Sequence, residues 1–78
     1  MKDLIKFIAS SLVDNPSQVD VFEVQRGNQV ILELQVAKED MGRIIGREGR
    51  VANAIRVLLR VAAAKEGKRV SLDIVEPE

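Results

Sequence analysis

Apolar side chains recur at helical spacing near the start of the chain. Within residues 2–13 they lie near one face of a helix, and the charged residues lie elsewhere. The residues on the apolar face are Leu4, Ile5, Ile8 and Leu12. The pattern predicts a first helix, which ends at Asn15 and Pro16 because the residue before a proline avoids helical backbone angles.

The next two segments alternate between two faces, which is typical of β-strands. The first segment covers residues 19–25 and the second covers residues 30–36. Between them lies Arg26-Gly27-Asn28-Gln29, in which glycine and asparagine readily adopt a positive φ. The pair is therefore predicted to form a hairpin.

The length of the hairpin loop decides which side chains meet. A two-residue loop would put two side chains of the first strand on the face opposite to two of the second, whereas a three-residue bulged loop would join all four in one core. These four side chains are Phe22, Val24, Leu32 and Leu34. We favour the bulged loop.

Two further helices and a third strand are predicted in the rest of the chain. A short helix begins within residues 37–40, where the carboxylates of Glu39 and Asp40 favour its positive end, and it runs to about Ile45. A long helix follows over residues 50–65 and is closed by Gly67, and residues 69–75 alternate as a strand.

The resulting order αββααβ predicts one α+β domain over residues 1–78. The second and third strands are joined through helices, so they can lie parallel under the right-handed crossover rule. We expect a mixed three-stranded sheet packed against three helices.

Composition excludes several function classes. The 78 residues include no cysteine and no histidine, so Ser-His-Asp and Cys-His nucleophile systems, disulfides and the usual zinc sites are excluded. We expect a protein that is not an enzyme and has no metal or cofactor. No apolar stretch is long enough to span a membrane and no signal peptide is evident, so we expect a cytoplasmic protein.

Two glycines three residues apart separate the second and third helices. A loop without Cβ atoms at Gly46 and Gly49 can present its N–H groups to an anion, at the point where the next helix adds its positive dipole end. Arg47 and Arg50 would add charge. On spacing alone, an equally good interpretation is that Gly46 and Gly49 are only helix caps.

The charge is unevenly distributed along the chain. The 12 basic and 12 acidic residues balance overall, but residues 41–64 hold five arginines against Glu48 alone and are therefore net +4, which leaves −4 for the rest. Neither a Walker loop nor a dinucleotide fingerprint is present. The two aromatic residues, Phe7 and Phe22, are expected in the core, so an aliphatic groove is expected rather than an aromatic platform for bases.

The glycine loop carries a resemblance to a known family. The run Ile44-Ile45-Gly46-Arg47-Glu48-Gly49-Arg50, followed by Ile55, resembles the IIGxxG signature of the KH domain. The order αββααβ resembles the bacterial type II KH arrangement. A chain of this length with this loop is similar to the small bacterial RNA-binding KH proteins of the KhpA family.

The resemblance implies that single-stranded RNA lies across a groove while the GxxG loop clamps its phosphates. It implies contacts from Arg43, Ile44, Ile45, Gly46, Arg47, Glu48, Gly49, Arg50, Lys68 and Arg69. Glu48 departs from the basic residues that KH loops commonly carry, and we expect it to weaken binding. The implied role is an RNA chaperone or post-transcriptional regulator linked to cell shape and the cell wall. The alternative is a KH-like protein-interaction module that does not need RNA.

The long helix carries more apolar surface than one core contact needs. A strip formed by Ala54, Val57, Leu58 and Val61 lies beside the strip that faces the core. Either a dimer partner covers this strip, or the other helices of the chain wrap around it. We favour a homodimer, or a heterodimer with a second KH protein that the resemblance suggests is KhpB-like.

Overall fold

The helices and strands follow the predicted order. The computed structural model describes residues 1–76. Its helices are α1 Lys2–Leu12, the short α2 Met41–Ile45 and α3 Arg50–Lys65. Its strands are β1 Asp20–Arg26, β2 Gln29–Gln35 and β3 Arg69–Val75. Turns of 3₁₀ helix occupy Pro16–Gln18, Lys38–Asp40 and Arg47–Gly49. The predicted domain 1–78 also includes Pro77 and Glu78, which lie outside the described residues.

The three strands form one sheet in the order β1-β2-β3, in which β1 and β2 are antiparallel and β2 and β3 are parallel. This confirms the predicted mixed sheet and α+β fold. The helices pack on one face, where α1 buries Ile5 and Ala9 and α3 buries Ile55 and Leu59 against alternate strand residues. Within residues 1–76 no helix is long and apolar enough to cross a membrane.

The hairpin loop has two residues, so the favoured bulged loop is wrong. Arg26 pairs with Gln29 across the turn, and Val21 faces Leu34. Gly27 has a φ of +62° at the first loop position, which is the pattern of a type II′ turn. Because the side-chain period is two, this register turns Phe22 and Val24 away from the helices, onto the opposite face of the sheet.

Both aromatic side chains are exposed, so their expected place in the core is also wrong. Phe22 is 49% exposed because of the hairpin register. Phe7 is 72% exposed because the buried face of α1 is centred on Ile5 and Ala9, and Phe7 points nearly the opposite way at 100° per residue. The same rotation leaves Leu4 and Leu12 at the margin of the core, each about two-fifths exposed.

A buried carboxylate joins the end of α1 to the start of α2. Asp40 is 1% exposed, and its oxygens accept hydrogen bonds from the backbone N–H groups of Asp14 and Asn15, at 3.1 Å each, and from the side chain of Asn15 at 3.0 Å. The prediction that Asp40 favours the positive end of the second helix misses this role, since its side chain makes no cap hydrogen bond to α2.

The surroundings of Asp40 keep it ionised. Burial by itself raises the pKa of the carboxyl, but the hydrogen bonds from the side chain of Asn15 and from the two N–H groups, together with the charge of Arg43, hold that pKa below its usual value of 3.8. A group with a lowered pKa stabilises the folded protein fully at pH values above the unfolded pKa. This stabilisation is lost as the pH falls below 3.8 toward the folded pKa.

We predict that Asp40→Asn lowers the melting temperature at neutral pH by at least about 5 °C, because an amide nitrogen would face N–H donors. The variant should also lose less stability than the natural chain on acidification below pH 4. Thermal melts followed by circular dichroism over a pH series test both effects. Glu39→Gln, at the exposed neighbouring position, is the matched control. Identical pH profiles for Asp40→Asn and the natural chain would contradict the assignment.

Candidate nucleic-acid interface

The segment between α2 and α3 is a tight loop shaped by its glycines. The N–H group of Gly46 donates to the carbonyl of Gly42 at 2.9 Å and ends α2, and the N–H group of Gly49 donates to the carbonyl of Gly46 at 3.2 Å. Gly46 has φ 76° and ψ 174°, a region that is essentially restricted to glycine. Gly49 is left-handed at φ 76° and precedes the first residue of α3.

The two glycines differ in how closely the chain surrounds them. A Cβ atom on Gly46 would overlap the side chain of Val51 and lie 2.8 Å from the backbone nitrogen of Val51. A Cβ atom on Gly49 would meet nothing nearer than the amide nitrogen of Asn53 at 3.9 Å. Both residues occupy helix-cap positions, as the alternative interpretation holds, but only Gly49 has room on its outer side.

Two N–H groups of the loop have no backbone acceptor. The backbone hydrogen bonds of the loop use the N–H groups of Gly46, Gly49 and Arg50, and they leave those of Arg47 and Glu48 without a backbone acceptor across the turn. The first N–H groups of α3 follow directly and also lack partners within the helix. The loop therefore offers a cluster of donors beside the exposed side chain of Arg47, a combination suited to a phosphate.

Glu48 occupies an unusual backbone position and partly neutralises the loop. Its φ of 57° and ψ of 26° are left-handed, which is uncommon for a residue with a side chain. Its exposed carboxylate lies 3.6 Å from the guanidinium of Arg50. Part of the charge of Arg50 is thus already balanced within the loop.

The predicted contact residues on α2 point in different directions. Ile44 is completely buried and supports the loop from within the core, whereas Ile45 is 41% exposed. The guanidinium of Arg43 lies 3.0 Å from the carboxylate of Asp14, so this arginine is paired with the end of α1. The surface beside the loop therefore includes Ile45, while Ile44 serves the core.

A cavity of about 140 Å³ lies between α3 and the edge strand β3. Its walls are formed by Arg56, Leu59, Arg60, Val70, Ser71 and Leu72. The Nε atom of Arg56 donates a 3.4 Å hydrogen bond to the carbonyl of Leu72, which holds that side chain against the strand. From the sequence, Arg56 and Arg60 are identified only as part of the net positive charge of residues 41–64, although their spacing of four residues on a helix predicts that they lie side by side.

The cavity lies beside the middle of α3, between the two predicted basic regions. The glycine loop precedes α3, and Lys68 and Arg69 follow it, so they lie at opposite ends of a helix of 16 residues, about 24 Å long. Arg56 and Arg60 lie between these ends, on the side that faces β3. Basic side chains therefore accompany α3 along its whole length.

The apolar strip of α3 is not covered by the helices that the structure describes. Val57, Leu58 and Val61 are each more than half exposed, which contradicts the alternative in which the other helices wrap around α3. A groove of about 570 Å³ separates α3 from α1 and is lined mainly by Leu4, Ile8, Leu58, Val61 and Ala62. The strip is thus an open apolar surface that extends toward α1.

Comparison with known proteins identifies close relatives. A family model described as KhpA/KhpB, KH domain, matches residues 2–74. The RNA-binding protein KhpA of Clostridium acetobutylicum is 53% identical over 75 residues, covering 96% of this chain and all of that protein. The RNA-binding protein KhpA of Chlamydia trachomatis is 49% identical over 76 residues, covering 97% of each chain.

Solved structures share the fold. A crystal structure of Aquifex aeolicus Era bound to GDP.AlF4- matches with a TM-score of 0.57 at 17% identity. The match covers 96% of this chain and 29% of that chain, so it relates this protein to one part of Era. A structure of Era in complex with MgGDPNP and nucleotides 1506-1542 of 16S ribosomal RNA matches equally well. At this identity the likeness concerns the fold alone.

We predict that alanine at Gly46 destabilises the protein far more than alanine at Gly49. Gly46→Ala should lower the free energy of unfolding by roughly 2–5 kcal/mol, since a glycine-only conformation and an overlap with Val51 add together. Gly49→Ala should cost about 1–2 kcal/mol, because only the left-handed conformation opposes it. Urea unfolding of both variants tests the difference, and equal costs would contradict the close approach at Gly46.

Proposed function

The chain belongs to the KhpA/KhpB KH-domain family, and from this membership we propose that it binds single-stranded RNA along α3, with the glycine loop holding the phosphate backbone. The family is not one of enzymes, in agreement with the expectation from composition. The observation that carries the proposal is that the N–H groups of Arg47 and Glu48 have no backbone acceptor and lie at one end of the line of basic side chains along α3.

Each part of the surface has a physical role in this proposal. The loop N–H groups and Arg47 receive a phosphate, because amides and a guanidinium are strong donors to an anion. Gly49 lets the RNA strand approach the loop backbone closely, since no protein atom fills the space outside this glycine. The cavity beside Arg56 and Arg60 takes the nucleotides that follow, and Lys68 and Arg69 attract the strand at the far end of α3.

The proposed binding is weak and depends on salt. Glu48 places a carboxylate beside the phosphate path and pairs with Arg50, and Arg43 is paired with Asp14. Contacts between basic side chains and RNA phosphates release counterions from the RNA, so the affinity for RNA falls as the salt concentration rises. A single KH groove contacts only about four nucleotides, so the domain needs a further source of affinity.

Pairing of two domains supplies that affinity in our proposal. The exposed strip Ala54, Val57, Leu58 and Val61 is an apolar surface on which a second KH domain can dock. Two linked grooves bind one RNA more tightly than either groove alone, through their effective concentration. The partner is a second copy of the chain or a KhpB-like KH protein. This strip also favours protein interaction as a second function beside RNA binding.

The wider role that we propose follows the family resemblance. A small paired KH protein acts as an RNA chaperone or post-transcriptional regulator in the cytoplasm, with an effect on cell shape and the cell wall. This level of the proposal is tested by crosslinking the protein to RNA in its own cells and sequencing the bound fragments. Recovery of no RNA above an uncrosslinked control would contradict it.

We predict that Gly49→Asp abolishes RNA binding while the domain stays folded, because a carboxylate would occupy the phosphate path. Gly27→Asp is the matched control, since Gly27 also has a positive φ and open surroundings but lies at the hairpin turn. Fluorescence anisotropy with a labelled single-stranded RNA at two salt concentrations measures the affinity. Equal affinities of the two variants would reject the phosphate clamp.

We predict that Val57→Glu combined with Val61→Glu yields a folded monomer that binds RNA more weakly, because four carboxylates would meet in the paired interface. Ser17→Glu combined with Gln18→Glu serves as the control. It adds the same charge on an exposed turn that is distant from α3 in the sequence. Light scattering measures the mass and anisotropy measures RNA binding. A natural chain that stays monomeric at high concentration and with candidate KH partners would contradict the pairing.

A further inference from the structure

The face of the sheet that points away from the helices has an ordered pattern of side chains. Four rows cross the strands on this face, each with one residue from β1, β2 and β3; the row Asp20, Gln35 and Val75 lies at one end, and the other three are neighbours with a distinct pattern. The basic row is Arg26, Gln29 and Arg69. The middle row, which we call the apolar row, is Val24, Ile31 and the small polar residue Ser71. The acidic row is Phe22, Glu33 and Asp73. We call the three rows together the open face.

The two cations and two anions of the open face form no ion pairs with one another. Glu33 and Asp73 are neighbours on paired strands, and like charges in that position are unfavourable. The ion pairs in residues 1–76 are Arg43 with Asp14 and Arg50 with Glu48, and neither lies on this face. Phe22 is 49% exposed and Val24 is 36% exposed beside these charges. A surface complementary to this face would carry cations, anions and apolar groups in the reverse order of rows.

We propose that the occupant of the open face is the open face of a second copy of this chain. A two-fold axis along the apolar row reverses the strand direction of the second copy and lays its acidic row over the basic row of the first. Arg69 then faces Asp73 of the second copy, Gln29 faces its Glu33, and Arg26 lies over its Phe22 as a cation over an aromatic ring. Val24 and Ile31 face their own counterparts at the centre.

The geometry of sheets permits this arrangement. Two sheets pack face to face about 10 Å apart with strands within about 30° of each other, which keeps rows in approximate register across an interface. Every isologous contact requires a self-complementary surface, and here each strand contributes one complementary pair. A generally basic partner would leave Arg26 and Arg69 unmatched, so a second copy fits better.

The size of the face makes the association weak. Three strands about 4.8 Å apart and seven residues long form a face of roughly 14 by 23 Å. This is less than half of the ~800 Å² per partner in a stable interface. The open face also lies on the opposite side of the sheet from α3, so it can act together with the helix surface to build assemblies larger than a dimer.

Sedimentation equilibrium of the full chain tests this inference. The Val57→Glu and Val61→Glu pair is introduced first, so that pairing through α3 does not contribute. In this parent protein the average mass should rise toward that of a dimer as the concentration approaches about 1 mM, the range of weak association. A mass that stays monomeric over this range would overturn the proposal.

Reversing the charge of Arg69 or of Asp73 tests whether self-association occurs through the open face. In the parent protein, Arg69→Asp and Asp73→Arg should each weaken self-association by roughly tenfold or more, because like charges would then meet across the axis. An equimolar mixture of the two variants should recover association, since one chain carries only carboxylates and the other only guanidinium groups at these positions. Glu23→Arg, on the opposite face of the sheet, should have no such effect. A mixture that associates no better than its components would overturn the two-fold arrangement.

Discussion

The close approach of the chain to itself at Gly46 is the constraint on which the proposed interface depends. Val51 occupies the space where any side chain at Gly46 would lie, so the backbone of the loop packs directly against the first turn of α3. The N–H groups of Arg47 and Glu48 lie in this packed turn and have no backbone acceptor. The buried carboxylate of Asp40 fixes the other end of α2 against α1, and the short helix is therefore held at both ends.

The long helix α3 serves three surfaces at once. One side packs into the core through Ile55 and Leu59, a second side presents Arg56 and Arg60 to the cavity beside β3, and the outer side carries the apolar strip. Because three of its sides have separate roles, α3 is the longest helix among the described residues. The proposed RNA surface and the proposed pairing surface occupy neighbouring sides of the same rigid element, so pairing can align two grooves without changing either.

The sequence predicts the elements well because their signals are local. Alternation, helical spacing and the two glycines identify the order of elements, and the crossover rule gives the parallel pair. The hairpin register is not predictable in the same way, because alternation in β1 suits either face and one residue in the loop decides between them. That error misplaced Phe22. Asp40 was missed as an anchor because its partners lie about 25 residues away in the chain.

An NMR titration of the ¹⁵N-labelled chain with a short single-stranded RNA tests the central claim most directly, since each backbone N–H group reports separately. The largest shifts on adding RNA should occur at the N–H groups of Arg47 and Glu48 and along the cavity at Leu72, whose carbonyl accepts the hydrogen bond from Arg56. The N–H group of Val24 on the open face should move little. Shifts that are largest on the open face or on α1, with Arg47 and Glu48 unchanged, would contradict the account.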